Sequence, residues 1–441
     1  MILIKNATAV HFMPESQVSD LDIRIEGNRI TETGSSLKPA PGETVIDASG
    51  KIVMPGLVVA HHHFYSGLAR GITAHIGPTP DFASTLKNLW WRMDRALDAD
   101  SLYSSALICC IDALRCGATA VIDHHASPEF IDGSLGVIKK AFEITGLRGA
   151  TCYETTDRNG QAGAEEGIAE NIRFAQELDA EKKAGTWSGL VECHIGGHAP
   201  FTLGDSTLKA LGDAVAATGR GFHTHIAEDR YDPSHSHAEH GIDPAKRLDS
   251  YGLITGKSLL VHGLYLNDDE IALINERGAF LVHNARSNMN NGVGYARWIG
   301  RIENAALGTD GIGGDMFEEF KFAYFSHRNS GGGLWPGDYL KMLANGNRII
   351  GPLFGMDFGR IEDGCAADLI ICGYDAPTPL SAENIAGHMA FGMQSKNVET
   401  VIVGGNIVIE NGSLTKGLSG IYADARKEAA ALWKRMDTIA P

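Results

Sequence analysis

Three consecutive histidines follow an apolar stretch in VMPGLVVAHHHF, residues 53–64. The apolar residues are typical of a buried strand, at whose end His61 and His63 would share one face and His62 would point the other way. Two imidazoles spaced in this way can bind one metal ion. The pattern therefore predicts that His61 and His63 are metal ligands and that His62 is not.

Other apolar segments end in residues of the same chemical types. These are His223 and His225 with Glu228 in GFHTHIAED, His262 in SLLVHG, His283 in AFLVHN and Asp310 in AALGTDG. Imidazole and carboxylate ligands suit Zn²⁺ and Fe²⁺. A single histidine at a strand end is usually a hydrogen-bonded structural residue, so the prediction of a metal site depends on the ordered set.

Residues 58–357 supply the elements that would position these side chains. Short apolar segments alternate with amphipathic segments that end at glycine, as in DSLYSSALICCIDALRCG followed by ATAVID. About eight such units predict the α/β class and a closed (β/α)8 TIM barrel. Active sites of such barrels lie at the carboxyl ends of the strands, where the histidines and Asp310 would meet.

The two ends of the chain have a different pattern. Residues 1–57 and 358–415 alternate apolar and polar residues and break at Gly, Asn and Pro, which is typical of short strands. We expect these segments to pack together as one small β-sandwich domain beside the barrel. Residues 416–441 are predicted to form a C-terminal helix.

Composition restricts the classes of partner and the location. The 441 residues include 38 Lys and Arg against 54 Asp and Glu, a net charge of −16, so we expect no nucleic-acid partner. We expect no membrane association, because no apolar run approaches the roughly 20 residues that span a bilayer and the first residues lack a signal-peptide pattern. Seven cysteines without a CxxC pair predict reduced thiols and a cytoplasmic location.

The segments PGLVVAHHHF, HTHIAED, LVHG, HNARSNMNNGVG and LGTDG together resemble the amidohydrolase superfamily, in its cytosine deaminase and chlorohydrolase branch. The resemblance covers nearly the whole chain and implies one divalent metal, zinc or alternatively iron, and a homo-oligomer. The metal ligands that it implies are His61, His63, His225 and Asp310. It also implies that Glu228 is the proton shuttle and that His262 positions the attacking water.

The chain departs from the family pattern at a few positions. Val59 and Ala60 stand where the family often has Asp or Asn, and HNAR replaces His-Asn-Pro, but neither change removes a ligand. Branches with two metals have a carboxylated lysine on a middle strand, whereas GATCYETTD contains Glu154 and no lysine. The site is therefore interpreted as mononuclear, with Glu154 or Cys152 as alternative ligands of a second ion.

Together these features predict a hydrolytic deaminase that releases ammonia from an amino-substituted heterocycle such as a purine, pterin, pyrimidine or triazine. Asp310 would accept a proton from the attacking water, Glu228 would protonate a ring nitrogen, and His262 would donate a hydrogen bond to the developing oxyanion. Hydrolysis of a cyclic amide or of a chloro-heterocycle fits the same ligands and remains an alternative. A catalytically silent binding protein is disfavoured because the ligand set is complete.

The small heterocyclic substrate requires further contacts near the strand ends. Tryptophans could stack on a flat ring, although core packing explains them equally well, and asparagine offers both a donor and an acceptor. The predicted substrate contacts are His198, His124, Trp90, His283 and Asn288, with Trp91 and Asn290 beside them.

Overall fold

The structure is a computed structural model that describes residues 1–440. Its strands are β1 (Ile2–His11), β2 (Gln17–Glu26), β3 (Arg29–Gly34), β4 (Thr44–Asp47), β5 (Ile52–Pro55), β6 (Leu57–His62), β7 (Ala118–Asp123), β8 (Arg148–Thr151), β9 (Val191–Cys193), β10 (Ile195–Gly196), β11 (Phe222–Ile226), β12 (Leu259–His262), β13 (Phe280–His283), β14 (Ala305–Leu307), β15 (Leu369–Cys372), β16 (Val398–Val403), β17 (Asn406–Glu410) and β18 (Ser413–Leu414).

The helices alternate with the middle strands, and the last helix lies at the C-terminal end of the chain. They are α1 (Phe82–Thr85), α2 (Trp91–Ala96), α3 (Ala99–Arg115), α4 (Ser134–Thr145), α5 (Gly160–Ala184), α6 (Asp205–Thr218), α7 (Tyr231–His240), α8 (Pro244–Ser250), α9 (Asp268–Arg277), α10 (Ala285–Asn290), α11 (Met316–Asn329), α12 (Pro336–Phe354), α13 (Ile385–Phe391) and α14 (Ile421–Thr438). In residues 1–440 we find no helix with the length and apolar character needed to cross a bilayer.

The middle strands are parallel. Strands β6 to β9 pair in that order, and β10 to β14 pair in that order. Two isolated parallel bridges, Thr155 to Gly197 and His62 to Asp310, connect the two groups. Parallel strands that alternate with helices are buried on both faces, which explains why every residue of β6, β7 and β11 is buried. The mixed α/β class predicted from the sequence is confirmed.

The strands from both chain ends belong to one sheet. Its order is β18-β17-β16-β15-β5-β1-β2-β3, with β4 beside β1. Strand β15 pairs antiparallel with β5, so that Leu369 lies opposite Pro55. Residues from both ends, including Ile4, Val53 and Ile371, share one buried hydrophobic cluster. The apolar positions of the alternating patterns are therefore buried against each other.

A buried ion pair joins this sheet to the parallel strands. In β8, Arg148 donates from Nε to Oδ2 of Asp368 at 2.8 Å and from Nη2 to Oδ1 at 3.0 Å. The guanidinium also lies 4.8 Å from the ring centroid of Phe354, and Oδ1 of Asp368 accepts a bond from the backbone N–H of Gly404. Because both side chains are almost fully buried, each charge depends on the other for its solvation.

We expect Arg148→Met to lower the free energy of unfolding by about 3–5 kcal/mol, because it leaves the Asp368 carboxylate buried without a counter-charge. Urea denaturation followed by circular dichroism measures the change. The matched control is Arg277→Met, which removes a similar pair with Asp249 at an exposed position. The control is expected to change stability little, and equal losses in the two variants would contradict the prediction.

Candidate metal centre

Side chains from four different strand ends meet in one small volume. His61, His225, His262 and Asp310 each offer one ligand atom, and these atoms all lie within 4.8 Å of one another. The two oxygens of Asp310 face different histidines: Oδ1 lies 3.7 Å from Nε2 of His61, and Oδ2 lies 3.7 Å from Nε2 of His262. The carboxylate therefore stands between the two imidazoles.

His63 lies against the same group. Its Nε2 is 3.0 Å from Oδ1 of Asp310 and 3.2 Å from Nε2 of His225. The structure thus brings together the four residues that the sequence indicates as ligands. It also places His262, which the resemblance assigned to the water, as close to Asp310 as His61 is. His62 faces away and pairs with Thr309 at 2.9 Å.

The outward nitrogens of three imidazoles are held by oxygens. Nδ1 of His63 donates to the carbonyl of His124 at 2.6 Å, and Nδ1 of His225 donates to the carbonyl of His198 at 2.9 Å. Nδ1 of His262 donates to Oδ1 of Asn288 at 2.8 Å. Because these oxygens accept, each Nδ1 carries a proton, so the lone pair of the neutral imidazole is on Nε2. The lone pairs are directed at the volume beside Asp310.

Burial and the Asp310 charge determine the protonation of the group. Burial lowers the pKa of His61, His225 and His262, which favours neutral imidazole. Burial also acts on His63, but its hydrogen bond and charge interaction with Asp310 raise the pKa to about 9. Burial opposes ionisation of Asp310, yet the neighbouring imidazoles of His61 and His63 hold the pKa of Asp310 well below its usual range. The centre therefore contains a carboxylate among imidazoles.

These residues fit a divalent cation. Among the residues described, the buried Nε2 atoms of His61 and His262 have no hydrogen-bond partner. Leaving a buried polar atom unpaired costs about 1–3 kcal/mol, so two such atoms at one point indicate a missing ligand. Imidazole nitrogens with one carboxylate form a donor set that suits zinc or iron.

Glu228 stands at the edge of this group. Its Oε2 lies 3.5 Å from Nε2 of His262, and its Oε1 accepts a bond from Asn291 at 3.4 Å. Burial and then the nearby Asp310 raise the pKa of Glu228 well above its usual range, which favours the protonated carboxyl. Ala227 turns the chain with a φ of 46°, and Asp232 accepts a bond from its backbone N–H at 2.7 Å. The sequence analysis missed Asp232 and Asn291.

A cavity of about 640 Å³ opens above the group. His63, Glu228 and Asp310 form its floor, and His198 and Trp90 lie in its wall, as do Trp91 and Asn290. A cavity of this size accommodates a small-molecule ligand. Two of the predicted substrate contacts, His198 and Trp90, therefore line this cavity.

The other three predicted substrate contacts lie outside the cavity lining, and this corrects the sequence analysis. His124 is fully buried, with Nδ1 facing Glu154 at 3.3 Å, because Glu154 lies at the cavity wall in front of it. Asn288 points from α10 to His262, since Asn291 and Ser287 occupy the face toward the cavity. Residue His283 is buried, and neither of its ring nitrogens has a partner within residues 1–440.

The cavity wall contains a polar group that the sequence analysis missed. Nη2 of Arg158 lies 3.3 Å from Oδ2 of Asp94, and the guanidinium lies 4.4 Å from the ring centroid of Trp91. Within the described chain, Oδ1 of Asp94 and Nε1 of Trp91 are buried without a partner. Burial raises the pKa of Asp94 to about 7. Trp91 and Asp94 are three residues apart and therefore lie on one face of a helix. This spacing is the sequence pattern that could have indicated the polar group.

Glu154 lies in the position discussed for a second ion. Its Oε1 is 3.4 Å from Nε2 of His198, and together with His225 these residues form a group within 4.8 Å. Nδ1 of His225 already donates to the carbonyl of His198, however, and its Nε2 belongs to the group around Asp310. Cys152 is buried in a separate group with His124 and His223. The interpretation that the site holds one metal ion therefore stays a prediction.

Comparisons with known proteins match almost the whole chain. The sequence model of the amidohydrolase family matches residues 52–408. Similar relatives include a 5'-deoxyadenosine deaminase of Methanosarcina mazei, 29% identical over 422 residues and aligned over 93% of each chain. A 5-methylthioadenosine/S-adenosylhomocysteine deaminase of Pelotomaculum thermopropionicum is 28% identical over 450 residues, which cover 98% of this chain and 99% of the relative.

Solved structures have the same fold. An adenosine deaminase from Xanthomonas campestris with bound zinc has a TM-score of 0.84 and 22% identity, and covers 99% of each chain. The atrazine chlorohydrolase TrzN from Arthrobacter aurescens with zinc has a TM-score of 0.82 and 22% identity, and covers 98% of this chain and 100% of that one. At this identity the likeness establishes the fold.

We expect Zn²⁺ to stabilise chelator-treated protein by about 4 kcal/mol when free zinc exceeds the Kd about 1,000-fold, because the cation binds the folded chain. Thermal unfolding with and without Zn²⁺ measures this effect. Asp310→Ala is expected to remove most of it. The control His75→Ala lacks one exposed histidine and should keep the full effect. Equal stabilisation of Asp310→Ala and the unaltered protein would show that zinc binds elsewhere.

Proposed function

Because the chain belongs to the amidohydrolase family, we propose that it is a metal-dependent deaminase that hydrolyses an amino-substituted N-heterocycle and releases ammonia. One observation carries the proposal. The protonated carboxyl of Glu228 and the imidazole-carboxylate group around Asp310 lie side by side on the floor of one cavity. A proton donor and a site for nucleophilic water are thus adjacent, as hydrolytic deamination requires.

We infer that one divalent cation, zinc or alternatively iron, is held by His61, His63, His225 and Asp310. When bound, such a cation supplies the Lewis acidity that makes water nucleophilic at neutral pH. The unpartnered Nε2 of His61 and the close contact of His63 with Asp310 support this assignment. Hydrogen bonds from Nδ1 orient His63 and His225 so that Nε2 of each ring is available to the cation.

The proton path uses residues on the floor of the cavity. Asp310 accepts a proton from the attacking water, and Ser287 holds the carboxylate by donating to Oδ2 at 2.5 Å. Glu228 gives its proton to a ring nitrogen as the carbon becomes tetrahedral. The carbon–nitrogen bond then breaks, and the amine leaves as ammonia with the proton that Asp310 took from the water. As the hydroxyl on this carbon becomes a carbonyl, its proton passes to Glu228 and restores the carboxyl.

His262 has a different role from the donor role expected from the sequence. Its Nδ1 proton is engaged by Asn288, so its Nε2 accepts hydrogen bonds. Nε2 faces both Glu228 and Asp310, at 3.5 and 3.7 Å. We therefore assign His262 to orienting the attacking water by accepting its O–H, which agrees with the role that the family resemblance implies.

An aminopurine, pterin or pyrimidine ring fits the cavity wall. Trp90 and Phe82 offer aromatic faces for stacking, and the space of about 640 Å³ exceeds what a single ring fills. The two relatives described above are named as deaminases of adenine nucleosides, which supports an aminopurine that carries a substituent. We infer that polar groups of this substituent contact Asp94 and Arg158, which both line the cavity.

We also infer the closed form of the fold. The bridge from His62 to Asp310 joins the first and last parallel strands, and β9 and β10 are consecutive parts of one strand segment, which supports a (β/α)8 barrel over residues 58–357. The shared sheet and hydrophobic cluster support a β-sandwich domain of residues 1–57 and 358–415. Helix α14 lies within the terminal segment 416–441.

Location and assembly follow as proposals. The seven cysteines are free thiols, which supports a reducing compartment, the cytoplasm. Phe325 and Phe391 are 48% and 67% exposed, and their ring centroids are 6.0 Å apart. Exposed aromatic side chains of this kind are typical of protein interfaces and support a homo-oligomer.

Ammonia release tests the proposed reaction. Zinc-loaded protein is incubated with adenine nucleosides, guanine, pterins, aminopyrimidines and aminotriazines, and ammonia is measured with a coupled assay. Chloro-triazines and cyclic amides are included, with chloride and ring opening as readouts. Turnover of an amino-heterocycle with stoichiometric ammonia supports deamination. Chloride release or ring opening without ammonia would instead favour the alternative hydrolases.

We expect Glu228→Gln to lower kcat by about 100- to 10,000-fold, because the amide cannot shuttle a proton. The variant should retain one equivalent of metal, measured by elemental analysis, so that the loss is separated from metal loss. Glu166→Gln makes the same chemical change on the exposed face of α5 and should leave turnover unaltered. A fully active Glu228→Gln would rule out the shuttle.

Asp94→Asn is expected to lower kcat/KM by about 10- to 100-fold, mostly through KM, because a carboxylate oxygen that accepts from the substrate is replaced. Steady-state kinetics with the best substrate of the panel measures the change. Asp213→Asn, at an exposed position, is the matched control. An unchanged KM in Asp94→Asn would contradict the assigned contact.

A further inference from the structure

His61 differs from the other imidazoles of the metal centre in what its Nδ1 faces. This atom lies 2.9 Å from Nε2 of His223, whereas Nδ1 of His63, His225 and His262 each face an oxygen. A carbonyl oxygen only accepts, so it determines the tautomer of its partner. An imidazole nitrogen can donate or accept, so His223 permits two arrangements.

The two arrangements have opposite consequences for the cation. If Nδ1 of His61 donates to His223, Nε2 of His61 keeps the lone pair that a metal ligand needs. If His223 donates instead, the proton of His61 is on Nε2 and points toward Asp310, 3.7 Å away. His61 can then bind no cation. The ability of His61 to act as a ligand therefore depends on which nitrogen of His223 carries hydrogen.

Cys152 sets the direction of these bonds. Nδ1 of His223 lies 3.7 Å from Sγ of Cys152, and Sγ lies 3.9 Å from the carbonyl oxygen of Asp123. Burial raises the pKa of the Cys152 thiol well above its usual range, so the sulfur keeps its hydrogen. The thiol donates to the Asp123 carbonyl, and its sulfur accepts from Nδ1 of His223. Nε2 of His223 is then left to accept from His61.

No solvent competes along this path. The side chains of His61, His223 and Cys152 are each 0% exposed. The ring of His124 covers one face of His223, at a centroid distance of 4.4 Å. The bonds run in one direction from His61 to a backbone carbonyl, which cannot reverse them because it has no hydrogen to give.

We propose that His223 and Cys152 are positioning residues that hold His61 in the tautomer whose Nε2 binds the metal. The proposal rests on the proposed role of His61 as a ligand. Partners of this kind are usually carboxylates or carbonyls, and their loss typically weakens metal binding by about 10- to 100-fold. Here a second histidine and a thiol take that position.

Two substitutions of His223 separate hydrogen bonding from packing. His223→Gln retains an acceptor near the position of Nε2, and His223→Leu retains volume without an acceptor. The Zn²⁺ dissociation constant is measured by competition with a chromogenic chelator, and the visible spectrum of the Co²⁺-substituted protein reports ligand geometry. We expect binding about 10- to 100-fold weaker and an altered spectrum in His223→Leu, with His223→Gln within a few-fold of the unaltered protein.

His194→Leu is the matched control. It removes a buried imidazole whose centroid lies 5.8 Å from that of His223, and His194 makes no bond to His61 among the described contacts. We expect unchanged zinc affinity in this variant. If His223→Leu does not fold, Cys152→Ala tests the far end of the path, with a weaker affinity that Cys152→Ser restores.

The outcomes distinguish this proposal from the proposed function. The positioning role would be overturned if His223→Leu left the zinc affinity and the cobalt spectrum unchanged, or if His223→Leu and His223→Gln lost affinity equally. Neither outcome would contradict deamination by the unaltered protein. Failure of the unaltered, zinc-loaded protein to release ammonia would overturn the deaminase while leaving the affinity comparison valid.

Discussion

Imidazole lone pairs buried at a single point are the constraint on which the rest of the structure depends. Nε2 of His61 and Nε2 of His262 point at the two oxygens of Asp310 from opposite sides, and water has little access to them. Burial disfavours the charged form of these imidazoles, so they cannot all be satisfied by taking up protons. A divalent cation at this point would satisfy them together, which would give a reason for one strand after another to end in a histidine.

The scaffold maintains this arrangement through its backbone and through bonds behind the centre. His262 and Asp310 adopt positive φ values of 71° and 51°, and Ala227 does so at 46° before Glu228. Such conformations are costly for residues other than glycine and persist where the surrounding structure demands them. Here they turn the chain at the end of a strand or just beyond it, where the side chains of the metal centre lie. The bonds from Nδ1 atoms to oxygens then determine how each ring is oriented.

The proposed reacting groups and the cavity wall belong to different parts of the chain. The reacting groups stand on strand ends, whereas the cavity wall is provided by the segment around α2, which is held by the C-terminal helix. Arg92 donates to the carbonyl of Met436 at 2.6 Å, and Trp433 donates to the carbonyl of Leu68 at 3.0 Å. The wall of the cavity and the metal centre are therefore held by different contacts.

Local periodicity determines a large part of this protein. The strand period of two places His61 and His63 on one side and His62 on the other, and the repeated strand-helix units indicate the mixed α/β class, as observed. The alternating patterns at both chain ends indicate short strands that need a partner surface. The carboxyl ends of parallel strands meet at one edge, so the sequence alone indicates that His225 and Asp310 approach these histidines.

Tertiary packing decided the remaining features, because a side chain at a strand end reaches the cavity only if no neighbour lies in front of it. Glu154 lies between His124 and the cavity, and the face of α10 directs Asn288 to His262 instead of to a substrate. The pairs Asp94–Arg158 and His61–His223 join residues far apart in the sequence. Spacing along the chain specifies which face a residue occupies, whereas contacts between distant segments depend on how the strands and helices pack.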